Sequence, residues 1–95
     1  MEIKYTPHLE LRIKMRGIPF DLPHKIFENA EEHYYDRLTR HFIAIHQIQF
    51  QGKMKEMALT YDRQKDVVEL ITLHPIKPYQ KRSRIHSGRW ERHEQ

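Results

Sequence analysis

Three basic side chains recur at every fourth position near the start of the chain, as His8, Arg12 and Arg16. In an α-helix, residues four apart lie on one face, so the three would form a single stripe. Cleavage of RNA through its own 2′-hydroxyl needs a base, an acid and cations that stabilise the phosphorane. Histidine transfers protons near neutral pH, and arginine binds phosphate oxygens in a bidentate fork. The stripe therefore predicts such a site or, alternatively, two arginines that pair with local carboxylates and stabilise the fold.

His74 is the fourth candidate catalytic residue. It follows the most strongly β-forming stretch of the chain, residues 67–73, and Pro75 restricts its backbone. Because a side chain at the end of a strand can enter a cleft, we predict a cleft between the stripe, which would face the sheet or a groove beside it, and the sheet edge near His74. For two other polar residues packing is favoured over catalysis: His46 lies mid-strand among apolar residues, and Tyr61 lies at a strand end.

The net positive charge of the chain lies at its C-terminal end. Residues 1–76 carry eleven Lys and Arg against eleven Asp and Glu, whereas residues 77–95 carry six against two, which accounts for the whole net charge of +4. Cations that contact phosphates, interleaved with aromatic rings that stack on bases, are typical of RNA contacts. The candidate RNA-binding residues are Lys77, Lys81, Arg82, Arg84, Arg89 and Trp90. The alternative is a basic helix that packs on the core through Ile76, Ile85 and Trp90, with its charges merely solvated.

Composition excludes several other functions. The chain contains no cysteine, which excludes disulfides, a thiol nucleophile and cysteine-based zinc sites. Its three glycines are too few for a glycine-rich phosphate loop, and no two histidines have the spacing of a helical zinc motif. We therefore predict neither a metal nor a cofactor. No apolar run approaches the ~20 residues that cross a bilayer, and a signal segment is not evident, so a cytoplasmic protein without membrane contact is expected.

The apolar pattern predicts one domain of the α+β class, in which two N-terminal helices pack on a curved antiparallel sheet of three to four strands and a short basic helix follows. Thr6 and Pro7 are typical of N-cap and N1 positions and start a helix that ends before Gly17. Asp21 is predicted to cap a second helix that ends near Asn29. Residues 3–5 are predicted to form a short strand or an extended lead-in. Further strands are predicted at residues 33–35, 42–50, 54–61 and 67–73, and the last helix at residues 78–86. Residues 1–76 form the body of this domain, and residues 77–95 are its basic C-terminal helix or tail.

The segment His8-x3-Arg12-x3-Arg16-Gly17-Ile18, followed by an amphipathic helix, a short acidic connector and a three-strand meander, resembles small prokaryotic domains similar to the RelE, ParE and BrnT toxins of type II toxin–antitoxin operons. The resemblance covers residues 3–75, and the histidine–arginine segment is its most specific part. It implies a compact fold with a curved sheet, metal-independent cleavage of mRNA, free or on the ribosome, and neutralisation by a cognate antitoxin. An acidic segment of that antitoxin is a further candidate to cover the basic C-terminal helix.

The residues and the resemblance together predict a toxin-like, metal-independent endoribonuclease that binds RNA. The main alternative is a non-catalytic RNA- or protein-binding module of the same fold, and a third is a structural or regulatory subunit. Cleavage of RNA distinguishes the first hypothesis from the second. A steep salt dependence of RNA binding distinguishes a nucleic-acid partner from a protein partner.

Overall fold

The computed structural model describes residues 1–93 of the chain, so that Glu94 and Gln95 of the predicted C-terminal segment lie outside the described residues. Within this range the chain forms three helices and six strands. In chain order they are β1 (Glu2–Tyr5), α1 (Pro7–Met15), α2 (Leu22–Asn29), β2 (Glu32–Asp36), β3 (His41–Phe50), β4 (Lys53–Gln64), β5 (Val67–Pro75), α3 (Pro78–His86) and β6 (Trp90–Arg92). None of the described helices has the length and apolar character needed to cross a membrane.

The six strands form one mixed sheet in the order β1-β5-β4-β3-β2-β6. The central strands β2, β3, β4 and β5 are joined as antiparallel neighbours, and β6 adds antiparallel to β2. β1 instead pairs in parallel with β5, where Tyr5 lies opposite Leu70. A shift of register between Thr60 and Tyr61 marks a bulge in the pairing of β4 with β5.

The predicted arrangement of two N-terminal helices on an antiparallel sheet of three to four strands is wrong, although the α+β class is right. β1 and β6 extend the sheet to six strands, and the parallel pairing of β1 makes it mixed. Each of these edge strands has only three or four residues and pairs with a strand distant in sequence. Local periodicity carries no information on such pairing, because the pattern of a short strand does not specify its partner.

The helices lie on both faces of the sheet. α1 and α2 cover one face through Leu9, Ile13, Ile26 and Phe27, which belong to the larger of two cores. α3 lies on the other face, over a smaller core. That core consists of Tyr34, Ile43, Ile45, Ala58, Ile76 and Trp90. Neighbouring residues of a strand point to opposite faces, and β3 and β4 accordingly contribute to both cores.

A hydrogen-bonded polar pair, Tyr61 and His33, lies in the larger core. Tyr61 is fully buried, and its hydroxyl lies 2.8 Å from Nδ1 of His33, which is 6% exposed. Nε2 of the same imidazole lies 3.2 Å from the carbonyl oxygen of Ala30. A neutral imidazole with its proton on Nε2 donates to the carbonyl and accepts from the hydroxyl. The prediction that Tyr61 serves packing is confirmed.

Candidate functional site

Thr6 joins the start of α1 to β5. Its hydroxyl accepts a hydrogen bond from the backbone N–H of Leu9 at 3.1 Å, which is the predicted N-cap. The same hydroxyl donates to the carbonyl of Ile71 at 3.3 Å, and the Thr6 N–H donates to the carbonyl of Leu70 at 3.0 Å. α1 therefore begins where β1 separates from β5, and it packs against β5.

The stripe of His8, Arg12 and Arg16 is exposed on the flank of α1 and does not face the sheet. The side of the helix that faces the sheet carries Leu9 and Ile13, which are 1% and 2% exposed. The arginines thus keep their hydration, and no buried carboxylate is required to compensate them. The prediction that the stripe faces the sheet is therefore wrong, and its alternative, a stripe that faces a groove beside the sheet, stays a prediction.

His74 lies near the end of β5, on an edge that β1 leaves uncovered beyond Leu70. The pKa of His74 is lowered below its ordinary value of 6.5. The first cause is partial burial, which displaces hydration from the imidazolium, and the second is the positive charge of Arg84, followed by those of Arg16 and Arg12. The neutral imidazole is therefore the main form of His74 at neutral pH.

Arg12, Arg16, His74 and Arg84 form what we call the Arg–His cluster. In the part of the chain that the structure describes, none of its three guanidinium groups forms an ion pair with a carboxylate. The guanidinium of Arg84 lies over the ring of Trp90, 5.3 Å from its centroid, and is held there by a cation–π contact. The cluster is thus a concentration of positive charge around a neutral imidazole, which is favourable for binding a polyanion.

The cluster differs from the predicted catalytic set in one member. His8 is exposed one turn from Arg12 on α1 and is not among the residues that shift the pKa of His74. Arg84, which the sequence places among the RNA contacts, lies instead with His74. Its position depends on how α3 folds back over the sheet, and no pattern within residues 78–86 specifies that path.

Lys81, a predicted RNA contact, is engaged by two carboxylates. Its ammonium nitrogen lies 2.7 Å from an oxygen of Glu32 and 3.1 Å from an oxygen of Glu56, and 19% of its side chain is exposed. Burial by itself would lower the pKa of Lys81, but the hydrogen bonds to Glu32 and Glu56 raise it overall. Lys81 therefore joins α3 to β2 and β4 and is not free to contact phosphate.

Arg89, also predicted to contact RNA, binds Asp36 through two parallel hydrogen bonds of 3.0 Å and 2.9 Å. The Asp36 side chain is only 3% exposed. Burial would raise the pKa of Asp36, but the hydrogen bonds from Arg89 and from the backbone N–H groups of Leu38 and Thr39 lower it to about 2. This bidentate pair fastens the start of β6 to the end of β2.

Trp90 is 3% exposed and stacks on Tyr34, with 5.5 Å between the ring centroids. Its indole N–H has no hydrogen-bond partner within the usual distance, although it lies close enough to Asp36 to help lower the pKa of that carboxyl. A buried ring cannot stack on an RNA base, so the prediction for Trp90 as an RNA contact is wrong. The alternative, a C-terminal segment that packs through Ile76 and Trp90, describes both residues, whereas Ile85 is 39% exposed.

Lys77 and Arg82 are the remaining predicted RNA contacts. Both are exposed, and neither forms an ion pair with a carboxylate among residues 1–93. The same range contains no group of three or more His, Asp or Glu side chains that could hold a metal ion. The free cations of the C-terminal segment are thus Lys77, Arg82 and Arg84, of which Arg84 belongs to the Arg–His cluster.

The Arg–His cluster combines a base with phosphate-binding groups at one exposed place. His74, as a neutral imidazole, can accept a proton from a hydroxyl. The guanidinium groups of Arg12, Arg16 and Arg84 can bind phosphate oxygens and stabilise negative charge that develops on them. This is the chemistry that the stripe predicts, with His74 in place of His8. Among known proteins, no family model, curated protein or solved structure significantly matches the chain.

Proposed function

We propose that this protein binds RNA at the Arg–His cluster and cleaves it there without a metal ion. The observation that carries the proposal is that the positive charges of Arg84, Arg16 and Arg12, from α3 and α1, all act on His74, and that these arginines have no carboxylate partner among residues 1–93. A polyanion bound beside His74 would compensate these positive charges. The lowered pKa of His74 supports the catalytic part, because a general base must be deprotonated at the working pH.

In the proposed reaction, His74 accepts the proton of a ribose 2′-hydroxyl, and the 2′ oxygen attacks the adjacent phosphorus. The bond from phosphorus to the 5′ oxygen breaks, which leaves a 2′,3′-cyclic phosphate and a 5′-hydroxyl that takes its proton from water. Arg12, Arg16 and Arg84 stabilise the additional charge of the phosphorane. Removal of one such group typically lowers the rate about 10²–10³-fold.

The direct test is cleavage of an end-labelled mRNA fragment in the presence of a chelator, with and without ribosomes. We expect wild-type protein to cleave it and His74→Ala to be slower by at least about 10²-fold. His24→Ala, on α2, removes a partly exposed imidazole outside the Arg–His cluster and serves as the matched control. Full activity of a folded His74→Ala variant, or no cleavage by wild type under either condition, would contradict the enzymatic proposal.

We further propose that the cleaving protein is the toxin of a type II pair, as the resemblance implies, and that a cognate antitoxin covers α1. Leu11 and Met15 are 55% and 73% exposed and lie beside Arg12 and Arg16 on this helix. An acidic amphipathic segment would cover the apolar pair and the arginines together. Expression of the wild type should inhibit bacterial growth, and expression of His74→Ala should not. Harmless wild-type protein that still cleaves RNA would contradict the toxin assignment alone.

A non-catalytic RNA-binding module is the second candidate. Within the described residues, His74 is the one member of the cluster that titrates near neutral pH. This observation favours binding without cleavage. Such a module would bind single-stranded RNA with a log–log salt slope of about −0.7 per phosphate contact and release it uncleaved. Binding without cleavage supports this candidate, whereas the absence of both favours a protein partner.

A further inference from the structure

A second group of polar side chains lies at the other end of β5 from His74. A groove of about 410 Å³ is formed where β3 begins, β4 ends and β5 begins. It is lined by the guanidinium-bearing residues Arg40 and Arg63 and by the acidic residues Asp62 and Glu69. In the described part of the chain, neither arginine forms an ion pair with a carboxylate. The groove thus presents two unpaired cations beside two hydrogen-bond acceptors.

Asp62 is held at this groove by His41. Nδ1 of the imidazole lies 2.7 Å from a carboxylate oxygen, and each side chain is 37% exposed. The two residues continue the register in which Phe42 lies opposite Tyr61, so the pairing of β3 with β4 places them side by side. The contact with His41 fixes the direction of the Asp62 carboxylate.

Arg40 is positioned by a rigid turn. Its backbone lies in the left-handed region at φ 64°, and its N–H donates to the carbonyl of Asp36 at 2.7 Å. The Asp36 carboxylate accepts the N–H groups of Leu38 and Thr39 and is itself held by Arg89. The ion pair that fastens β6 to β2 therefore also fixes the turn that presents Arg40 at the groove.

We propose that this groove binds one nucleotide unit, with Arg40 and Arg63 on its phosphate and with Asp62 and Glu69 as acceptors for its ribose hydroxyls or base amino groups. Guanidinium groups match phosphate oxygens in bidentate geometry, whereas carboxylates repel a bare anion and accept hydrogen bonds from hydroxyl and amino groups. A nucleotide carries both kinds of partner. The unit can be a free nucleotide or part of an RNA chain.

The groove and His74, one member of the Arg–His cluster, are related by their positions along β4. His74 is opposite Ala58 of β4, and Asp62 follows four residues further along the same strand, at a distance of about 13 Å. The even spacing puts both positions on the same face.

The test is a titration of isotope-labelled protein followed by the backbone amide signals of residues 62–64 and 67–69. We expect 5′-adenosine monophosphate to shift these signals and adenosine, which lacks the phosphate, to shift them much less. Arg40→Asn should weaken binding of the monophosphate about tenfold or more. Lys65→Asn is the matched control, because Lys65 also has a positive φ, of 53°, and is a cation outside the groove lining. Asparagine is tolerated in the left-handed region at both positions.

The two sources of the nucleotide are separated by a parallel titration with an RNA trinucleotide. Tighter binding of the trinucleotide, with shifts that extend to Thr60 and Thr72, assigns the groove to an RNA chain, and equal affinity assigns it to a free nucleotide. The proposal is overturned if neither ligand shifts the groove signals, or if Lys65→Asn weakens binding as much as Arg40→Asn. Arg63→Gln provides a second variant if Arg40→Asn does not fold. Because no cleavage is measured, the result is independent of the activity proposed for His74.

Discussion

The arginines of α1 and the cations of the C-terminal segment have the same chemistry but different neighbours. Arg12 and Arg16 lie beside an uncovered strand edge without a carboxylate partner in the described chain. Lys81 and Arg89 are held by acidic side chains of the sheet, and their charges are compensated. An excess of positive charge in a segment therefore does not by itself define a binding surface. Whether a cation is available for binding depends on whether the fold brings an acidic group from elsewhere to it.

The first prediction tests a cation that is paired with a carboxylate. Arg89→Ala should lower the free energy of unfolding by about 3–5 kcal/mol, because it leaves the buried carboxylate of Asp36 without its partner. Urea unfolding followed by circular dichroism measures the change. Arg82→Ala, which removes an exposed and unpaired cation from α3, should change stability by less than about 0.5 kcal/mol. Equal effects of the two substitutions would remove the distinction between compensated and free cations.

The second prediction tests the arginines of α1, which have no carboxylate partner in the described chain. Arg12→Ala and Arg16→Ala should each lower the rate of RNA cleavage about 10²–10³-fold, equivalent to roughly 3–4 kcal/mol of transition-state stabilisation. Their unfolding free energies should stay within about 0.5 kcal/mol of wild type, since both side chains are exposed. Cleavage assays and urea unfolding on the same preparations give both quantities. If every loss of cleavage is matched by a loss of stability, the arginines of α1 belong to the scaffold.

The sequence predicted the local parts of the fold. The Thr6 cap, the proline at the start of α1 and the strands that became β2, β3, β4 and β5 are encoded within a few residues each, and the structure contains them. α3 likewise occupies residues 78–86, where a short helix was predicted. β6 and the pairing of β1 could not be predicted, because both depend on strands far along the chain. For the same reason the sequence did not reveal that helices cover both faces.

The candidate site was predicted only in part, because sequence patterns report local spacing and not contacts between distant residues. His8, Arg12 and Arg16 were grouped by helical spacing, which is local, and His74 was selected by its place at a strand end. Arg84 joins the site only through the path of α3 over the sheet. Arg89 was misassigned because its partner, Asp36, is 53 residues away. No sequence pattern within the C-terminal segment indicates such a partner. Residues 1–76, whose net charge is zero, do contain acidic residues that can pair with these cations.

The third prediction uses pH to measure the same buried pair. The pKa of Asp36 is about 2 in the folded protein, below the value of 3.8 in an unfolded chain. The ionised carboxylate therefore contributes about 2 kcal/mol of stability above pH 4, and this contribution is lost as the pH falls from about 4 towards 2. Unfolding free energies measured across this range should show the loss in wild type and a smaller loss in Arg89→Ala. The same slope in both proteins would show that the pair is not its source.

The last prediction concerns the charge that the Arg–His cluster exerts on His74, and it is the smallest effect. The imidazole should titrate below its ordinary pKa of 6.5, which NMR signals of the ring follow directly. In Arg84→Ala the pKa of His74 should rise, because removal of a positive charge favours the imidazolium. Since the neutral form is the proposed base, the rising limb of the cleavage–pH profile should move to higher pH in this variant. Binding of RNA should raise the same pKa, because the phosphates offset the charge of the arginines. An unchanged pKa in both experiments would show that the arginines and the imidazole do not act as one site.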